Sequence, residues 1–172
     1  MAQDEFEIVL NEYAAAVVER AKSNLRISRQ IRGKKVNRVA SGNLLTSLTY
    51  KARVRYNKPT VDFTVKGTAG KYADVIEFGR KPNSKMPPVK AIIDWIRIKP
   101  LKLRNRQGQF IKSTESAIKS AAFAIAKSIG EKGIQGINYY TEAIEDTWPE
   151  YADRLIEGYV KGVENRLLLN KR

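Results

Sequence analysis

The sequence predicts an α+β domain: a small antiparallel sheet packed by an N-terminal helix and by long C-terminal helices. Three observations carry this expectation. Residues 4–28 repeat apolar side chains at three- and four-residue spacing. Residues 49–67 hold two alternating runs separated by Asn57-Lys58-Pro59, a hairpin pattern. From Ser113 onward the spacing returns to that of helices. A chain of 172 residues favours one domain. We place its core at about 1–144 and a helical extension at 145–172.

In the first helix, Phe6, Val9, Leu10, Tyr13, Ala14, Val17, Val18, Ala21 and Leu25 form one stripe. Acids at its start and bases at its end suit the helix dipole. The next stretch, RQIRGKKVNRVA (29–40), is densely basic with no clean period. It reads as a loop: an arm toward a partner or a solvated connector. Ser41 is an expected cap for a short helix bearing Leu44, Leu45 and Leu48. The first strand alternates Tyr50, Ala52, Val54 and Tyr56 with Lys51, Arg53 and Arg55. The second alternates Val61, Phe63 and Val65 with Asp62, Thr64 and Lys66. Lys51, Arg53, Arg55 and Lys66 would then form a positive ladder on the outer face. Like charges facing each other cost stability.

The stretch GKYADVIEFGRKPNSKMPPVKAIIDW (70–95) organises the rest. Lys71 to Phe78 predicts a short helix ended by Gly79. Pro87-Pro88 opens a second helix, because proline is tolerated in a first turn. Val89, Ile92, Ile93 and Ile96 face the core of that helix, with Trp95 beside them. Tyr72, Phe78, Gly79, Pro88, Ile92 and Trp95 are the expected structural core of this corner. Glu77 lies between Ile76 and Phe78. A part-buried carboxylate needs a cation, and Arg80, Lys81 and Arg55 are candidates. Glu77 therefore reads as an ion-pair partner rather than a general base, with no histidine or second acid beside it.

Residues 99–112 are a basic loop with Pro100 and Gly108 as breakers. Ser113 and Ser116 are expected to cap a helix carrying Ala117, Ala121, Ala124, Ile125 and Ile129, whose small residues suit a central position. GIQG marks a turn. Residues 139–168 are helical with an expected break near Pro149. Their second stripe, Tyr151, Leu155, Ile156, Tyr159, Val160, Val163 and Leu167, could close this domain's core or bury against a neighbouring subunit.

Cysteine and histidine are both absent. No disulfide framework or thiolate metal site follows, and the commonest general base is missing. The chain holds no run of about 18 apolar residues, the length a membrane span needs. The acidic N-terminus is unlike a signal peptide. No membrane and a reducing cytoplasm are the expectations. Phosphate-cradling loops, nucleophile elbows and calcium loops are likewise absent, so no cofactor and no enzyme are expected.

Net charge is +14, and its distribution is uneven. Residues 1–19 hold five acids and no base. Residues 20–112 hold 24 Lys/Arg against 4 acids, so 24 − 4 = +20. Residues 113–172 hold 8 bases and 9 acids. The basic middle attracts a polyanion or an acidic protein face, or is merely solvated. Arg53, Arg55, Arg80, Lys81, Arg104 and Arg106 are the candidate subunit or DNA contacts. Glu142, Glu145 and Asp146, with Glu150, are the candidate acidic partner face.

The order SGNLLTSL, basic hairpin, KYADVIEFGRKP, MPPVKAIIDWI and ESAIKSAAFAIAKSIGEKGIQG resembles a family of tailed-bacteriophage virion proteins. These are the small neck, tail-completion or minor tail proteins of the head–tail junction. The likeness runs from about Ser41 to Ile144. It is strongest at Tyr72-Ala73, Glu77-Phe78-Gly79, Pro87-Pro88, Ile92 and Trp95. It implies a non-enzymatic α/β subunit that forms a homo-oligomeric ring in the virion, assembled in the host cytoplasm. Its partners would be itself, other phage connector and tail proteins, and the DNA backbone passing through the channel. Where the family carries a proline-aromatic segment, this chain has Asn138-Tyr139-Tyr140, and its C-terminal part is longer. A basic nucleic-acid-binding module is the alternative reading.

Overall fold

The computed structural model describes residues 5–55, 58–99, 101–105 and 107–169. The expected strand residue Tyr56, the turn residue Asn57, the breaker Pro100 and the candidate contact Arg106 lie outside the described residues. The fold is α+β, with three small antiparallel two-stranded sheets.

Helix α1 (Glu5–Arg26) is the centre of the core. All nine apolar residues of its stripe are buried. It packs against helix α6 (Tyr139–Leu169) on one side and against a hairpin on the other. The helices run antiparallel. Gly158 lies against Phe6, and Phe6 meets Tyr159 edge-on at 5.6 Å. Tyr13 touches Tyr151 and Trp148 midway. At the far end the Asn24 amide donates to the Tyr139 carbonyl at 3.2 Å. Tyr151 and Leu155 of the α6 stripe thus close this chain's own core, whereas Ile156, Tyr159 and Val160 stay exposed. The boundary expected at 144/145 falls inside one helix. The expected break near Pro149 is absent: Pro149 lies within α6. Pro149 and Glu145 are both exposed, so water can serve the carbonyl that the ring leaves unbonded.

The hairpin is β3 (Leu48–Arg55) and β4 (Lys58–Val65). Tyr50 pairs with Phe63 and Ala52 with Val61, and these side chains pack on the core. On the outer face Lys51 stands opposite Asp62, and Arg53 is bonded to Asp62. The expected positive ladder is therefore neutralised there, and like charges oppose each other only at Arg55 and Lys58. Residues 29–40, expected as a loop, contain a second hairpin, β1 (Arg29–Ile31) with β2 (Lys34–Val36). Its turn places Arg32 at φ 51 and Gly33 at φ 75, the mirror-image turn that suits strand twist. Helix α2 (Asn43–Ser47) starts after Gly42, and the Ser41 hydroxyl accepts from the Asn43 amide rather than capping a later turn.

Helix α3 (Gly70–Glu77) ends as expected at Phe78 and Gly79, the latter at φ 84. Gly79–Arg80 is β5, which pairs with β6 (Ile134–Gln135). Between them α4 (Val89–Ile98) packs on α5 (Glu115–Lys132). Helix α5 is not central. It buries only Ala122, Ala126 and Gly130, against α4 and the 84–86 backbone. Its cap is Thr114, whose hydroxyl accepts from the Ala117 amide, one residue from the expected Ser113. Polar ties anchor this lobe at the C-terminal end of α1. The Lys99 ammonium donates to the carbonyls of Asn37 and Val39, and the Asn37 amide donates to the Arg26 carbonyl.

Candidate functional site

Two places hold the residues that the sequence singled out: a buried clasp at Glu77 and a set of exposed charges. The clasp begins with chain geometry. Asn138 precedes α6 at φ 50, and its carbonyl accepts from the Glu142 amide. The side chain at this capping position makes no bond to the first-turn amides, so those donors need another acceptor. Glu77 supplies it. One carboxylate oxygen accepts from the Tyr140 amide at 2.9 Å. The other accepts from the Thr141 amide at 2.9 Å and the Thr141 hydroxyl at 2.7 Å. Glu77 is only 5% exposed. A buried carboxylate on the positive end of a long helix is held by aligned dipoles and charge-assisted bonds.

The expected cation partner is thus corrected. Among the described residues no Lys or Arg is within ion-pair distance of Glu77. The neighbouring backbones interlock. The Ile76 and Glu77 carbonyls accept from the amides of Ile137 and Asn138. A β-carbon on Gly136 would sit 2.3 Å from the Glu77 carbonyl oxygen, and one on Gly79 2.4 Å from that of Ile134. Only glycine permits this approach.

Other expected core anchors are also corrected. Phe78 is 72% exposed, Tyr72 39% and Trp95 36%. Pro88 is exposed and Ile92 is half-buried. Helices α3 and α4 are too short to turn every apolar residue inward. Ala73 is buried in α3, and Ile96 is buried in α4 as its spacing predicts. Phe78 borders a groove of about 410 Å³ between β4, α3 and the start of α6.

Burial holds the Tyr139 and Tyr140 phenols well above their ordinary value, with the charge of Glu77 adding to the effect. The Tyr140 hydroxyl donates to the Thr49 carbonyl, tying the clasp to β3.

The candidate contacts separate into used and free charges. Arg80 donates to the Ser84 hydroxyl and the Lys85 carbonyl, so it shapes its own loop. Arg53 is engaged by Asp62. Arg104 donates to the Gly108 carbonyl and lies 4.1 Å from the centre of the Phe110 ring. Arg55 and Lys81 are exposed and make no ion pair among the described residues. On the acidic side, Glu142 is not free for a neighbour: it forms a two-bond pair with Arg29 of its own chain. That bond raises the Arg29 pKa. Glu150 lies 3.8 Å from Arg20. Glu145 and Asp146 are exposed and make no ion pair among the described residues.

No family model, curated protein or solved structure matches this chain.

Among the described residues no three His, Cys, Asp or Glu side chains come together as a metal set. No described helix is long and apolar enough to cross a membrane. The bonding of Glu77 is structural: every polar contact fixes where α6 begins. Sequence reasoning missed Thr141, Gly136 and Arg29. The signal for the first was present, since an aromatic pair opens the last helix with no acid before it.

Proposed function

We propose that this chain is a structural virion protein of a tailed phage. It forms one subunit of a ring at the head–tail junction, as a neck or tail-completion protein, joining the portal-connector side to the tail. The observation that carries this reading is the separation of charge along the molecule. Bases cluster around the C-terminal end of α1, on the β1–β2 hairpin, Arg80, Lys81 and the 99–112 loop. Exposed acids that make no ion pair among the described residues, Glu145, Asp146, Asp153 and Glu157, run along α6. Such a subunit presents two different and complementary faces, which is what a closed heterologous ring requires. The order of segments from Ser41 to Ile144 supports the same reading. The buried acid has a structural task, and no described cluster supplies a nucleophile with a base.

A second reading, a basic nucleic-acid-binding module, is favoured by the exposed Arg55 and Lys81. Such contacts would be made to phosphates and would weaken steeply with salt. Electron microscopy of the purified protein, alone and mixed with connector and tail proteins, separates the two. Rings, or docking on a portal or a tail, are expected. Monomers that bind duplex DNA, with no ring under any mixture, would overturn the virion reading.

A further inference from the structure

The second half of α6 carries an apolar face that its own chain leaves uncovered. Ile156 is 60% exposed and Val160 48%, one turn apart. Asp153 and Glu157 flank them, both exposed and without an ion pair among the described residues. Nearby acids are treated differently: Glu5 and Glu12 of α1 are paired with Lys161 and Arg154. The uncovered face therefore combines apolar surface with uncompensated negative charge.

The 101–112 loop carries the opposite combination. Leu103 is buried and anchors it. The Asn105 side chain accepts from the amides of Gln107 and Gln109, and Arg104 bridges to Phe110, so the loop is braced. At its outer side Phe110 is 60% exposed and Ile111 40%. Arg104 lies 4.1 Å and the Lys102 ammonium 5.8 Å from the Phe110 ring centre. An exposed aromatic ring flanked by cations is the composition of an interface anchor, with arginine and aromatics favoured.

The two surfaces cannot meet within one molecule. Gly158, two residues from Ile156, packs on Phe6, so this turn of α6 lies level with the start of α1. The loop is rooted by Lys99 and Asn37 at Arg26, the end of α1. From Phe6 to Asn24 the helix spans roughly 27 Å at 1.5 Å per residue. We infer that the 101–112 loop of one copy docks on Ile156 and Val160 of the next. Phe110 lies on the apolar pair, and Lys102 and Arg104 face Asp153 and Glu157. The occupant is a second copy of this chain. A nucleic acid does not fit this face, because phosphates are repelled by the acids. The contact is head-to-tail, so each copy keeps one free loop and one free helix face until a ring closes. The inference rests on the ring reading and names the contact that would build it.

The test uses two surface variants of the full chain, D153K/E157K and K102E/R104E. Each opposes like charges across the proposed contact, and each alone is expected to weaken self-association about a hundredfold. Mixed in equal amounts, they are complementary in both directions, and assembly is expected to return. I156S/V160S is expected to lose assembly without rescue by either. Far-ultraviolet circular dichroism and the melting temperature report whether each variant is folded. A folded D153K/E157K variant that still forms rings under the microscope would overturn this contact while leaving the ring reading intact. Failure of the mixture to assemble, or wild-type chain that stays monomeric at the highest soluble concentration, would overturn the contact too. Loss of DNA binding by K102E/R104E with assembly unchanged would assign the loop to nucleic acid instead. Absence of rings in every mixture with connector proteins would count against the ring reading itself.

Discussion

Glu77 stands between two apolar residues, and its carboxylate meets three donors of the first turn of α6. Removing the charge while keeping the shape leaves one acceptor oxygen and loses the interaction with the helix dipole. Glu77→Gln is expected to cost about 1–2 kcal/mol, and Glu77→Ala about 2–4 kcal/mol because buried donors are left unserved. Urea unfolding checks both; unchanged midpoints would contradict the clasp. Tyr140 gives a pH signature at the same place. Burial raises its phenol from 10.0 to about 12, with the charge of Glu77 adding to the rise. The unfolded chain therefore ionises this group first as alkali is added. Its contribution is full below pH 10 and is lost as pH rises toward 12. Melting temperatures on either side of pH 10 should fall less in Tyr140→Phe than in the parent protein. An equal fall in both would contradict the burial of this phenol.

The elements differ in how far the chain announced them. Helix α1, the β3–β4 hairpin and the stop at Gly79 follow from spacing of 3.6 and 2 and from one glycine. These signals are local, and they were legible. The partner of Glu77 was not, because it is a pair of backbone amides at 140 and 141, and an amide leaves no mark in a sequence. The exposure of Phe78 and Trp95 has a related cause. Hydrophobicity states which residues prefer the interior, whereas the short α3 and α4 decide which can reach it. The hairpin at 29–36 was hidden by its charges, although Arg32-Gly33 is a turn signal. Pro149 marked a break that packing on α1 overrides. The interlock of 76–81 with 133–138 yields a sharp comparison. Gly136→Ala places a methyl 2.3 Å from a carbonyl oxygen. It is expected to cost about 3 kcal/mol or to prevent folding. Gly108→Ala has φ +83 but open space around it. It is expected to cost only about 1 kcal/mol. Equal costs, measured by denaturant titration, would contradict the close approach.

At the scale of the whole molecule, charge is the organising fact. The core of α1, α6 and β3–β4 carries a basic lobe at the C-terminal end of α1 and an acidic, partly apolar face on the second half of α6. Intramolecular pairs such as Arg29 with Glu142 and Arg154 with Glu12 consume some of that charge and leave Asp153, Glu157, Lys102 and Lys81 for other molecules. A contact made from such charges is screened by salt: the Debye length falls from about 10 Å at 0.1 M to about 3 Å at 1 M. The central claim is that these ends join copies of the chain into a closed ring. Sedimentation velocity of the purified full-length protein across this range of salt tests it most directly. One discrete oligomer at low salt, dissociating to folded monomer as salt rises, is the expected result. A single monomeric species at every salt concentration would contradict it.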